Sequence, residues 1–268
     1  MIKRDISGVD KKRGQLTMFV VMGIVILGTI LGYVLLFSDY AITDKFIKEI
    51  QDPESFMSSC VESNLNSIVN NLLENNLYSS PVEDNYFKYN NDGVPERIPF
   101  LCTVGEFNAP CINQEPVLML RLKTNFESEI FPRIDSCWVK MVASFERQGD
   151  TIFGDLLNKT LLTGKEVLEI KISNSLIIKS GDNTQSYSEF NIETNTRIFK
   201  LAALAQKIVN FESTLCEFNI VAEMGMYPEI FIKRFRSGDQ TKMYTLEDRA
   251  TEESIKFAVR TCVIPAGI

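Results

Sequence analysis

The longest run of apolar residues lies near the N-terminus. Residues 17–37 read TMFVVMGIVILGTILGYVLLF, 21 positions without a charged side chain. As an α-helix at about 1.5 Å per residue, this stretch would extend for about 32 Å, close to the hydrocarbon thickness of a bilayer. The pattern therefore predicts a transmembrane helix over residues 15–37, followed by a helical stalk over 38–50.

Two amphipathic helices are predicted after the stalk. Apolar residues recur at helical spacing over residues 53–77, and again from Asn113 to about Cys137. Between them, residues 90–93 (Asn-Asn-Asp-Gly) indicate a turn, and prolines interrupt short extended pieces. The two helices define a predicted helical, disulfide-linked subdomain over residues 51–138.

The hydrophobic period changes after Gly149. An amphipathic helix is predicted over residues 197–211 because its apolar positions recur every three or four residues. Alternating or continuous apolar runs predict strands at 167–172, 176–179, 186–193, 230–235, 241–246 and 255–263. This order predicts an α+β subdomain over residues 139–268, with an antiparallel or mixed sheet packed on a helix.

Flanking charge predicts the orientation of the apolar helix. Residues 1–14 contain five basic and two acidic side chains, a net of +3, and acidic residues follow the helix. The positive-inside rule keeps this basic leader in the cytoplasm and places the C-terminal part outside the cell membrane. The chain total of −7 leaves −10 on residues 15–268, which argues against nucleic acid as a partner.

The six cysteines all lie after the apolar stretch, on the side predicted to be extracytoplasmic. An even number of cysteines in an exported region indicates disulfides, although six allow 15 complete pairings. A short loop with turn residues favours Cys102–Cys111, and a shared apolar helix side favours Cys60–Cys137. The remaining pair, Cys216–Cys262, would tie the last strand to the end of a helix. The alternative is six buried thiols.

The junction between leader and helix resembles the class III signal, or type IV pilin leader, of archaeal filament proteins. The matching residues are Lys11-Lys12-Arg13-Gly14-Gln15 and the apolar run after them. The resemblance implies cleavage between Gly14 and Gln15 and assembly through the freed helix. Phe19 stands where many such leaders carry Glu. An uncleaved anchor is the preferred alternative, since basic flanks accompany any such span.

A wider resemblance covers most of the chain. Its layout is similar to that of uncharacterised single-span cell-surface proteins of small-genome archaea. The matching segments are KKRGQLTMFVVMGIVIL, Ser59-Cys60-Val61-Glu62, Pro99-Phe100-Leu101-Cys102, Pro110 to Pro116 and Lys256 to Gly267. The resemblance implies an anchored, exported α+β domain with cysteines in these settings, and no activity.

Motifs for catalysis, cofactors and metals are missing from the sequence. The chain has no histidine, which excludes Ser-His-Asp and Cys-His catalysis and histidine-bound zinc. It contains no nucleophile elbow, no phosphate-binding glycine loop and no C-x-x-C pair. No catalytic residue, metal ligand or cofactor is predicted. A carboxylate-based glycosidase is a distant alternative.

Three weaker features concern contacts at the surface. Gly28 and Gly32 form a G-x-x-x-G that favours close approach of two helices and hence self-association. Asn158 begins an N-glycosylation sequon. The aromatic residues between 86 and 107 are either a ligand or protein contact, or loop side chains packed against the helical pair, which is the preferred interpretation.

Together these patterns predict a non-enzymatic, membrane-anchored surface protein. Its single span would lie in the lipid bilayer, with the N-terminus in the cytoplasm and the disulfide-linked domain outside. The predicted role is structural or adhesive contact with an envelope or surface protein. The alternative is a pilin-like subunit that is processed after Gly14 and assembled through its N-terminal helix.

Overall fold

A computed structural model of the chain describes residues 21–29, 52–91, 93–154, 157–164 and 166–264. Internal contacts divide the chain into two compact units, Met1–Pro53 and Glu54–Ile268.

In the first unit, the described residues of the apolar stretch form helix α1 over residues 21–29. Its large apolar side chains are between 54% and 66% exposed. Within the described ranges, no helix has the length and apolar character needed to cross a bilayer. The predicted transmembrane helix is therefore wrong for this structure, and the stalk over 38–50 lies outside the described residues.

The second unit combines helices with two sheets, so the α+β prediction is confirmed. Its helices α2 to α5 are Pro53–Glu74, Leu118–Arg147, Ile198–Leu215 and Ile220–Met226. Its strands β1 to β10 are Tyr86–Asn91, Val94–Thr103, Ile112–Asn113, Thr151–Phe153, Asn158–Thr163, Val167–Ser180, Asn183–Asn195, Ile230–Arg236, Lys242–Asp248 and Ser254–Val259.

Helices α2 and α3 are the two predicted helices and form an antiparallel pair. Cys60 near the start of α2 is bonded to Cys137 in the second half of α3. At the other end, Tyr78 donates a 2.9 Å hydrogen bond to Glu115, just before α3. Helix α3 continues to Arg147, ten residues beyond the predicted end, because the apolar spacing persists through Met141 and Phe145, which are both buried.

The first sheet has the order β1-β2-β10-β9-β8, with the short β3 also paired to β2. The β2–β10 pair is parallel, and the other pairs are antiparallel, so the sheet is mixed. The rings of Tyr89 on β1 and Phe235 on β8 lie 5.5 Å apart although these strands are at opposite ends of that order. The sheet is therefore strongly curled.

The second sheet is built around the long strand β6. Strand β7 pairs antiparallel along one edge, while β5 and β4 pair with the first and second halves of the other edge. The two strands predicted at 167–172 and 176–179 are this one strand, interrupted by an irregularity between Ser173 and Leu176. Its buried residues alternate along the strand, which gives this sheet one apolar face.

Helix α4 lies at the centre of the second unit. It contacts α3 on one side and strands β2, β3, β9 and β10 of the first sheet on another. Its buried positions follow the predicted 3.6-residue period, including Leu201, Ala205 and Ile208. This placement leaves one stripe of α4 facing outward, and that stripe forms the wall of the site described next.

Candidate functional site

A groove of about 270 Å³ runs along the outward stripe of α4. Helix α5 and the residue after it form the opposite wall, and the β5–β6 turn and the start of α3 close the ends. Apolar side chains dominate the lining, with two lysines and one glutamate among them. The lining residues are Met119, Thr163, Gly164, Phe199, Lys200, Ala203, Leu204, Lys207, Glu223, Tyr227 and Ile230.

The spacing of α4 explains which side chains reach the groove. Lys200, Ala203 and Lys207 are three and seven residues apart and therefore lie on one face of the helix. The small side chain of Ala203 leaves open space between the two lysines. At the rim, a Cβ on Gly164 would approach the Val167 carbonyl oxygen to 2.7 Å, so this tight turn requires glycine.

An ion pair between a buried glutamate and a partly exposed lysine closes the α5 side of the groove. The Lys207 ammonium donates 2.7 Å hydrogen bonds to both carboxylate oxygens of Glu223. The Glu223 side chain is 4% exposed and that of Lys207 is 38% exposed. The same ammonium lies 5.7 Å from the centre of the Tyr227 ring. This arrangement fixes α5 on α4 and keeps a positive charge at the groove surface.

The second lysine is held by a separate carboxylate group. Lys200 Nζ lies 2.9 Å from Glu229 Oε1 and 3.8 Å from Asp248 Oδ2. The hydrogen bond from Lys200 lowers the pKa of Glu229 below its usual range. Asp248 Oδ2 is buried without a hydrogen-bond partner in the described residues, and Arg197 Nε lies 3.7 Å away. These charges hold Lys200 at the mouth of the groove.

Exposed apolar side chains are concentrated near the groove, on the end of α4, on α5 and at the residue after α5. We define them as the α4–α5 apolar surface. Its members are 41% to 79% exposed and comprise Phe211, Leu215, Val221, Met226 and Tyr227. The rings of Phe211 and Phe218 are 5.7 Å apart, so α4 and the segment leading to α5 pack against each other. Strand β8, which contacts α5, carries Lys233, Arg234 and Arg236.

A network of buried charges lies under the C-terminal end of α4. Glu212 accepts a 2.8 Å hydrogen bond from Lys242 and a short one from the Tyr244 hydroxyl. Lys242 also donates to the Cys216 carbonyl at 2.6 Å and to Glu217 at 3.0 Å. Burial, followed by the negative charge of Glu212, raises the pKa of Tyr244 far above its usual range. All groups are paired, which makes this network a structural feature.

The six cysteines form three disulfides, and the described residues contain no free cysteine. The prediction of disulfide bonds is confirmed. The pairs are Cys60–Cys137, Cys102–Cys111 and Cys216–Cys262, the same three that the sequence favours. Their Cα atoms are 5.5 to 6.0 Å apart, within the ordinary range for a disulfide.

The remaining predicted site residues are not brought to the groove. Gly14, Gln15 and Gly32 lie outside the described residues, so cleavage and the G-x-x-x-G contact stay predictions. Gly28 is in α1, and a side-chain carbon there would meet no atom within 4 Å. Asn158 is exposed at the start of β5, where glycosylation stays a prediction.

Most of the predicted aromatic cluster lies on strands, whereas Phe107 lies in a turn and is 57% exposed. Phe87, Tyr89 and Phe100 lie on strands β1 and β2 and pack against a small apolar core of Ile98, Met243 and Ala258. These three rings therefore contact residues of the first sheet. Strand β2 was not predicted because its prolines interrupt the strand pattern. The turn predicted at residues 90–93 does close the β1–β2 hairpin, where Asn91 pairs with Val94 and Gly93 has φ +87°.

Sequence reasoning did not predict the groove. In the sequence, the feature that could have indicated the groove is the spacing of Lys200 and Lys207 on either side of Ala203, on the polar face of α4. Helix α5 was not predicted because seven residues are too few to show a period. Among the described residues, no group of three or more Cys, Asp or Glu side chains could hold a metal ion.

The second unit thus belongs to the class of disulfide-linked α+β domains. Comparison of the chain with protein-family models, with curated proteins and with solved structures found no match.

Proposed function

We propose that this chain is an exported interaction domain with a structural or adhesive role, which binds a protein of the cell envelope or surface. The observation that carries the proposal is the α4–α5 apolar surface. Large exposed apolar patches mark contact sites, because soluble proteins otherwise bury such side chains. The three disulfides support an oxidising compartment, where such bonds persist.

Charge around the surface indicates the kind of partner. Strand β8 carries Lys233, Arg234 and Arg236, and because the two arginines share the single carboxylate of Glu217, this border of the surface keeps a net positive charge in a chain whose net charge is −7. A partner with an apolar centre and an acidic border would be complementary to it, and opposite charge would speed the encounter. A second acidic copy of this chain would be repelled at long range. The proposal does not depend on a membrane-spanning helix.

Site-specific photo-crosslinking on native cells tests this proposal. A photo-reactive residue replaces Val221 on α5, and the matched control replaces Asp182, which is exposed in the β6–β7 turn. We expect one dominant product between this chain and a different protein from position 221, and none from position 182. The product should disappear when Leu215→Asp and Met226→Asp are added, because charge on the surface opposes apolar contact.

Three outcomes would contradict the proposal. Equal crosslinking from both positions would mean that Val221 has no special contact. A product with the mass of two copies would assign the surface to self-association. Persistence of the product in the double aspartate variant would show that the contact does not use the α4–α5 apolar surface.

A further inference from the structure

The groove along α4 has the form of a small-molecule site. Its volume of about 270 Å³ is near the lower end of the range for ligand pockets, which is about 300–1,000 Å³. Such pockets combine an apolar lining with a few placed polar groups. Here Met119, Phe199 and Leu204 belong to the apolar lining, and the polar groups are the two lysines and Glu223.

The two ammonium groups define the length of the site. Lys200 and Lys207 are seven residues apart on α4, which places their Cα atoms about 10.5 Å apart along the helix axis. The side chains between them on this face, Ala203 and Leu204, are apolar. A ligand in the groove would therefore have an apolar body and meet a positive charge at its end.

Each ammonium retains hydrogen-bonding capacity. Lys207 uses two N–H groups on the two oxygens of Glu223, and an ammonium has three. Lys200 has one carboxylate oxygen at 2.9 Å, whereas the second is at 3.8 Å, beyond a hydrogen bond. The remaining N–H donors can bind an anionic acceptor. Hydrogen bonds between two charged groups are stronger than those between neutral groups.

The charges also disfavour a cationic ligand. Glu223 is the carboxylate in the lining, its side chain is 4% exposed, and Lys207 already occupies both of its oxygens. A ligand cation would have to displace this ammonium from the buried carboxylate of Glu223, which is costly. The charge that solvent and a ligand can reach in the groove is that of Lys207.

We propose that the groove between α4 and α5 binds a small monocarboxylate with an unbranched apolar body. The apolar body lies over Ala203 and Leu204, and the carboxylate accepts a hydrogen bond from Lys207, the more exposed of the two lysines. This site goes beyond the proposed protein contact. Its test leaves Phe211, Leu215 and Val221 unchanged, so the two proposals fail independently.

Isothermal titration of the purified chain with octanoate provides the test. Octan-1-ol and octylammonium are the comparison probes, because they keep the apolar body and change only the head group. We expect saturable binding of octanoate, at least about tenfold weaker binding of octan-1-ol, and no binding of octylammonium. Tenfold corresponds to about 1.4 kcal/mol, within the range of one charge-assisted hydrogen bond.

Two variants locate the site. Ala203→Trp fills the groove from an exposed position on α4, while Ala222→Trp places the same side chain at an exposed position on α5 that does not line it. We expect the first to abolish octanoate binding and the second to leave it unchanged.

A double variant, Lys207→Gln with Glu223→Gln, tests the head-group contact because it removes both partners of the ion pair. It should weaken the binding of octanoate at least about tenfold without weakening the binding of octan-1-ol.

Several results would overturn the assignment. Absence of octanoate binding to the folded chain would do so, as would equal affinity for all three probes. Octanoate binding that survives Ala203→Trp, or that is lost equally in Ala222→Trp, would place the ligand elsewhere.

Discussion

At the scale of single residues, the most constrained part of the second unit is the charge network below α4. Glu212 and Lys242 are both buried and pair with each other, and Tyr244 completes the set. A buried charge is tolerated only when its partners are in place, because its desolvation is otherwise uncompensated. The sequence shows these residues on a helix and a strand without any sign that they meet.

Substitution of Lys242 by Met should destabilise the chain by about 3–5 kcal/mol, because Glu212 would remain buried without its cation. The matched control is Lys123→Met, which removes a partly exposed pair with Glu127 and should change stability by less than about 1 kcal/mol. Urea unfolding measures both. Similar small changes in the two variants would contradict this account of the network.

Glu217 should make stability depend on pH. Burial pushes the pKa of Glu217 upward, but hydrogen bonds from Lys242 and Arg234 outweigh it and lower the pKa below its usual value. The folded state therefore favours the ionised form. Its stabilisation is present above the unfolded pKa of about 4.3 and is lost as pH falls through the folded pKa.

The stabilities of the parent chain and of Glu217→Gln, measured by urea unfolding, should accordingly differ at about pH 6 and approach each other as the pH falls below the unfolded pKa of about 4.3. The glutamine keeps the size of the side chain and removes only its titration. A difference between the two chains that stays constant over this range would show that the carboxylate is not stabilised by its neighbours.

At the scale of elements, much of the second unit could be predicted from the sequence. Helices α2 and α4 and strands β6 to β10 have periods long enough to identify them. The short strands β4 and β5 and helix α5 are too short to show a period. Strand β2 is long enough, but Pro95 and Pro99 interrupt its pattern. The groove was beyond prediction because α5, although close to α4 in sequence, is too short to show a period, and because the β5–β6 turn and the start of α3 are distant from α4 in sequence.

The disulfide between α2 and α3 should contribute directly to stability. It closes a loop with a sequence separation of 77 residues. Replacing Cys60 and Cys137 together by Ala should destabilise the chain by about 2–4 kcal/mol, since the unfolded chain regains the entropy of that loop. The control replaces the exposed neighbours Ser59 and Ser136 by Ala, with an expected change within about 0.5 kcal/mol.

Thermal and urea unfolding under non-reducing conditions measure this difference. A double cysteine variant as stable as the parent would contradict a stabilising role for this bond. A serine variant that loses as much stability would show that the effect comes from disturbing the helices rather than from the disulfide.

At the scale of the whole second unit, one helix is tied to both sheets. Asn66 of α2 accepts a 2.8 Å hydrogen bond from Thr194 in the second sheet. Asn76, just after α2, accepts a 2.6 Å hydrogen bond from the backbone N–H of Lys256 in the first sheet. These contacts explain why Glu54–Ile268 is one compact unit.

A chain of residues 52–268 should therefore fold without the preceding residues and unfold in one cooperative transition. Circular dichroism and the fluorescence of Trp138, which lies on α3 with its ring 6.1 Å from that of Phe190 on β7, report on different parts of the unit. The two signals should change at the same denaturant concentration. Separate midpoints would show that the two sheets unfold independently.

The central claim is that this chain is an exported domain held by three disulfides. Non-reducing peptide mapping of the protein isolated from its native cells tests it most directly. The account predicts the bonded peptides Cys60–Cys137, Cys102–Cys111 and Cys216–Cys262, and no free thiol. Free thiols at these positions would contradict both the exported location and the disulfide-linked fold, and any other pairing would contradict the fold.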